Sequence, residues 1–247
     1  MDGVLFGPFG QYSRTCFAKE NTVNNPIWRF VALVFLLIVC TQLRSQTISS
    51  SVPAQVDHSR PYLLYLHGAI VQDEGVDAVS EYYGPYKYLD ILDSLRARGF
   101  NVISERRPKG TSEEDYAEMV SGQIDTLLAL RVAPENIVVL GASIGAAITI
   151  EIAHRLKNQQ INYVVMGLCS EYFLGHFSKY RTELCGNFLS IYERSDAKGS
   201  CDELLMDRFC KSGYKEVALS MGNSHGFLYR PYSEWINTIV QWKGMKK

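Results

Sequence analysis

Long runs of one charge are missing from this chain of 247 residues, in which 25 Lys and Arg stand against 26 Asp and Glu. The net charge is −1, with neither a basic stretch nor an acidic tail. Nothing therefore supplies the clustered Lys and Arg that grip nucleic acid, and no nucleic-acid partner is expected. Closely spaced cysteine pairs are missing too. None of the six cysteines falls in a C-x-x-C pattern, which removes the usual structural zinc frameworks and leaves no metal site to expect. No internal repeat or low-complexity tract is visible, so array architectures are excluded. The longest continuous apolar run, residues 30–40 (FVALVFLLIVC), has 11 residues. That is well short of the roughly 20 that cross a bilayer as a helix.

The same run suits the hydrophobic core of a secretory signal. It follows Arg29 and precedes a Ser- and Thr-rich stretch, with cleavage expected near Ser45. Residues 1–46 are accordingly expected to be a signal peptide or targeting segment, and contact with a membrane is expected only if residues 30–40 are retained as an anchor. Residues 47–60 read as a linker and 61–247 as one domain, since 47% hydrophobic and 21% charged residues are ordinary globular composition. Export to a periplasmic or extracellular setting would place Cys169, Cys185, Cys201 and Cys210 where disulfides form, and four cysteines allow three pairings.

Beyond residue 60 the pattern alternates. Short apolar runs at 62–66, 100–104, 137–140, 163–168, 187–192 and 216–219 predict six buried strands. Between them, helical spacing predicts helices over 86–98, closed by Gly99, over 116–130, from 144 to 157, over 202–209 and over 232–242. Strands alternating with helices imply a mostly parallel sheet covered on both faces.

The most informative stretch is residues 137–150, IVVLGASIGAAITI. A buried strand runs into Ser143, which has small residues two before and two after it (Gly141 and Gly145), and a helix follows at once. A turn that tight tolerates nothing larger on either side of the serine. This G-x-S-x-G in its strand–turn–helix context resembles the nucleophile elbow of the α/β-hydrolase superfamily. The resemblance covers residues 61–242 and implies an α/β-hydrolase fold with about six strands, trimmed at the amino end.

It also implies a serine–histidine–acid triad in that chain order. After the resemblance, Asp196, in the turn that follows the strand 187–192, matches the acid, with Glu193 and Asp202 as rivals. His225, before the closing helix, matches the base among the five histidines. The segment His67-Gly68-Ala69 resembles the family's oxyanion loop, so the Ala69 and Ile144 amides are expected to stabilise the oxyanion. The implied activity is a carboxylesterase-like serine hydrolase acting on a small or medium ester, without metal or organic cofactor. A peptidase or thioesterase with the same triad, or an exported binding module without turnover, stands as the alternative. For the substrate, Tyr172, Phe173, Phe177 and Tyr180, with the Tyr-rich residues 82–88, are candidates for an apolar wall. Arg106, Arg107 and Lys109 are candidates for an anion.

Overall fold

The computed structural model describes residues 48–206, 210 and 213–245. The expected signal segment 1–46 and part of the expected helix at 202–209 lie outside the described residues. In the centre of the sheet the apolar runs become strands buried along their length, whereas the two edge strands are partly exposed. β1 (Ile48–Ser49), β2 (Tyr62–Leu66), β5 (Asn101–Ile103), β6 (Ile137–Ala142), β7 (Asn162–Met166), β8 (Asn187–Glu193) and β9 (Tyr214–Leu219) form one sheet in the order β1-β5-β2-β6-β7-β8-β9. Every pairing in it is parallel. A separate antiparallel hairpin joins β3 (Val79–Ser80) to β4 (Gly84–Pro85).

Parallel neighbours need crossovers, and helices provide them on both faces. Because strand side chains alternate, Tyr62, Leu64 and Leu66 of β2 pack with α3 (Glu113–Ala129) and α4 (Ile144–Leu156). Leu63 and Tyr65 pack on the other face with α2 (Tyr88–Ala97) and α7 (Ser233–Trp242), each helix contributing four buried side chains. The start of α3 is set locally. The Ser112 hydroxyl accepts from the Asp115 N–H at 3.1 Å, and Glu113, Glu114 and Asp115 sit in the first turn, where the helix dipole favours negative charge. Three shorter helices complete the set: α1 (Ala69–Glu74), α5 (Glu171–Phe177) and α6 (Asp202–Leu205).

The chain leaves β2 toward β5 on one side, then returns across β2 to β6 on the other. At such a reversal the two following loops diverge and open a crevice at the strands' carboxyl ends. Gly68 and Ala69 follow β2 and Ser143 follows β6, so sheet order alone brings the predicted oxyanion loop and nucleophile to one place.

Differences from the sequence-based expectations are local. The sheet has a seventh strand because Ile48 and Ser49, in the expected linker, pair with Val102 and Ile103. Two residues are too few to show a period. α1, α5 and the β3–β4 hairpin are likewise too short to announce themselves. Of the three cysteine pairings, the structure contains Cys169–Cys201 and Cys185–Cys210. No helix among the described residues is long and apolar enough to cross a membrane.

Candidate active site

Ser143 stands between β6 and α4 with φ 55° and ψ −117°, a conformation that costs a non-glycine residue on the order of 1–3 kcal/mol. The surroundings hold it there. Its N–H donates to the Met166 carbonyl at 2.9 Å, and the Ala146 N–H donates back to the Ser143 carbonyl at 2.8 Å. The flanking glycines are required by contact. A side chain on Gly141 would meet the Gly145 carbonyl and the Thr149 hydroxyl, and one on Gly145 would overlap the carbonyl of Leu66 in the neighbouring strand. The motif's small residues thus let β6, α4 and β2 approach closely enough for the elbow to form.

His225 lies in the single turn Ser224–Leu228 between β9 and α7. Its Nε2 is 3.0 Å from Ser143 Oγ and its Nδ1 is 2.6 Å from Asp196 Oδ2. The Asp196 side chain is 4% exposed and that of His225 19%. The structure therefore brings Ser143, His225 and Asp196 into one hydrogen-bonded row from three separate loops.

Glu193, the nearest rival to Asp196, takes a different position. It is 1% exposed, and its carboxylate accepts N–H bonds from Met221 at 2.8 Å, from Gly222 at 3.3 Å and from Ser195 at 3.3 Å. The Ser195 hydroxyl donates to Glu193 at 3.2 Å and accepts from the Ser224 N–H at 3.0 Å. Ser224, at φ 48°, directly precedes His225. Glu193 thus ties the loop carrying Asp196 to the loop carrying His225. Burial pushes its carboxyl up, but the amide bonds from Met221, Gly222 and Ser195 outweigh that and leave it below the usual carboxylate range.

Ala69 and Ile144 are the first residues of α1 and α4, where an N–H has no carbonyl within its own helix. The loop before α1 is fixed from behind. Arg107, 1% exposed, donates through Nη2 to the His67 carbonyl at 2.5 Å and through Nε to Gln72 Oε1 at 2.8 Å, and lies over the Tyr116 ring. This corrects the expectation of an anion site. Arg107 is held inside the protein by carbonyls and a side-chain amide, and neither it nor exposed Arg106 and Lys109 lines the cavity beside Ser143.

His67 is fully buried, accepts the Arg107 N–H at Nε2 (2.9 Å) and donates from Nδ1 to the Gly68 carbonyl (2.8 Å). Burial, reinforced by the Arg107 charge, lowers its pKa from 6.5 to about 3. Between those values the unfolded chain binds a proton that the folded chain does not. Folding stability is accordingly present in full above pH 6.5 and lost as pH falls below it, by up to about 1.4 kcal/mol per pH unit. Urea unfolding at stepped pH should show this slope between pH 6.5 and 5, and His67→Gln should reduce it. An equal slope in both proteins would mean that folded His67 takes up the proton.

The cavity beside Ser143 has a volume of about 340 Å³, and Gly68, Ala69 and His225 also line it. Ile70, Leu228, Tyr86 and Tyr229 provide its apolar and aromatic walls. Of the aromatic residues expected at the substrate, Tyr86 lines this cavity. Phe173, Phe177 and Tyr180 instead pack with the core on the α3–α4 face, and Tyr172 is exposed. Tyr86 is fixed by a 2.6 Å hydrogen bond between its hydroxyl and that of Tyr65.

The parallel sheet, its switch point and the elbow together define the α/β-hydrolase fold. No protein-family model and no curated protein sequence matches the chain. Solved structures do. The chain is similar to a fungal esterase from Rhizomucor miehei, with 15% identity, a TM-score of 0.51, and coverage of 75% of this chain and 74% of that one. A monoacylglycerol lipase from Paleococcus ferrophilus matches with 13% identity and a TM-score of 0.51, over 74% of this chain and 95% of that one. A sugar hydrolase from Lactococcus lactis matches with 12% identity and a TM-score of 0.52, over 78% and 91%. At such identities the likeness is one of fold.

Proposed function

We propose that this protein is a serine hydrolase that cleaves small or medium carboxylic esters through an acyl-enzyme on Ser143. The observation that carries this reading is the row from Ser143 Oγ to His225 Nε2 at 3.0 Å and from His225 Nδ1 to Asp196 at 2.6 Å, opening on a cavity. A serine hydroxyl is a weak nucleophile until a base removes its proton, and the base needs a third group to fix its tautomer. Asp196 accepts the Nδ1 proton and leaves Nε2 free to receive the one from Ser143.

Oγ then bonds to the ester carbon while its proton passes to Nε2. The charge that develops on the carbonyl oxygen is met by the Ala69 and Ile144 amides, and a preorganised donor of this kind is worth about 3–4 kcal/mol of barrier. Collapse breaks the carbon–oxygen bond of the leaving alcohol, which departs with the proton from Nε2. Water repeats the sequence, giving one proton to Nε2, releasing the acid and restoring the Ser143 hydroxyl. The cavity volume supports substrates of modest size, and the two disulfides support function in an exported, oxidising setting.

A fluorophosphonate probe should label the folded protein covalently, with loss of labelling in Ser143→Ala and in His225→Ala. Folded protein that takes no label would be a binding module, and the hydrolase reading would fall. Esters of graded acyl length, with a thioester and a peptide anilide beside them, then define the preferred bond and chain length.

A further inference from the structure

We infer that the cavity beside Ser143 selects esters bearing a positive charge, with an ammonium group in either the alcohol or the acyl part. This rests on the hydrolase reading above and names its substrate class. α1 leads directly out of the proposed oxyanion loop, and its last two residues, Asp73 and Glu74, line the same cavity as Ser143 and His225. Among the described residues no Lys or Arg lines it. Both carboxylates are exposed, and among the described residues neither is hydrogen-bonded or ion-paired.

Two observations independent of these carboxylates point to a ligand here. The cavity reaches both the serine and the histidine of the hydrogen-bonded row. Tyr86 and Tyr229 also stand in its wall with ring centroids 4.9 Å apart, an apolar surface beside the carboxylates that suits the methyl groups of a quaternary ammonium.

An adjoining hollow that shares Tyr86 carries Asp77 and Asp90 against Lys87. The linings of the two hollows thus hold four carboxylates and one ammonium, with the Arg230 guanidinium beside Gly84, in a chain whose net charge is only −1. Both Asp73 and Glu74 attract a cation in the cavity and repel an anion there. Acid clustered around a cleft also raises the local concentration of cations, so the preference should weaken with salt.

Purified protein is assayed with two isosteric pairs that differ in charge alone. One pair is the butanoyl ester of choline and that of 3,3-dimethylbutanol, with acid release followed by titration. The other is the 4-nitrophenyl ester of 4-(trimethylammonio)butanoate and that of 5,5-dimethylhexanoate. In at least one pair the cationic member should have a kcat/KM higher by about tenfold at low ionic strength, the size two partly solvated charge pairs give. The ratio should fall in 0.5 M salt. The double variant Asp73→Asn, Glu74→Gln should bring it close to one, whereas Asp125→Asn, on the exposed side of α3, should leave it as in the parent.

A ratio of one or below in both pairs, or a preference kept by the double variant, overturns the proposal. So does faster turnover of the anionic 4-nitrophenyl glutarate. Failure of the underlying reading has a separate signature: neither the neutral nor the charged esters turn over and the fluorophosphonate leaves no label, and the proposal then falls with it.

Discussion

Alanine at Ser143 should lower ester turnover by about 10⁴- to 10⁶-fold, the range seen when a nucleophile of this type is removed. The fold should survive. Oγ makes no hydrogen bond other than the one to His225 among the described residues, and the backbone strain at φ 55° is the same for alanine as for serine. The thermal midpoint should therefore stay within a few degrees of the parent's, which separates loss of chemistry from loss of structure. Combining Ser143→Ala with His225→Ala should add almost nothing, because the two side chains act as one unit. Steady-state kinetics on an activated aryl ester, with buffer hydrolysis subtracted, checks this. Retention of more than about one per cent of the parental kcat would remove Ser143 from the mechanism.

The second large effect is expected in the fold, at Gly145→Val. The first carbon of any side chain there would overlap the Leu66 carbonyl and stand 2.9 Å from that of His67. Both atoms belong to backbone at the end of β2, in the middle of the sheet, so neither can swing aside as a flexible side chain would. A cost above about 4 kcal/mol is expected, which belongs to the rare class of severe substitutions. For a domain of this size it lowers the melting temperature by about 10 °C or more. Gly122→Ala supplies the contrast. It lies on the exposed side of α3 with nothing within 4 Å of the added carbon, and should stabilise by about 0.5–1 kcal/mol. Calorimetry on both variants decides, and a Gly145→Val protein that melts like the parent would mean that α4 can move away from β2.

Much of the fold was legible because fully buried parallel strands leave unbroken apolar runs. β2, β6 and β7 show one, β5, β8 and β9 show shorter ones interrupted at Asn101, Ser190 and Glu216, and the helices that cover them carry the complementary spacing. β1 and the β3–β4 hairpin were silent for a simple reason. Two-residue strands have no period, and their pairing is decided by what lies beside them in space.

At the site, the G-x-S-x-G stretch announced its own geometry, since the contacts that exclude larger residues are local to the turn. Roles that depend on distant neighbours were not legible. Glu193 and Asp196 are both carboxylates at the end of β8, and the sequence does not say that one turns inward to gather the amides of Met221 and Gly222. Arg107 shows the same limit. A charged loop residue reads as ligand-binding until the carbonyl it supports, 40 positions earlier in the chain at His67, is brought against it. Nothing in the sequence marks Asp73 and Glu74, and only the position of α1 puts them on the wall beside Ser143.

The two disulfides have a consequence for survival of a proteolytic cut. Cys169–Cys201 and Cys185–Cys210 span overlapping stretches of chain. A single cut by a foreign protease anywhere from 169 to 210 therefore leaves the two fragments joined through sulfur, and between 185 and 201 they are joined twice. That interval contains β8 and the Asp196 turn. The part of the chain that delivers the acid to His225 is thus the part that can be nicked without being lost.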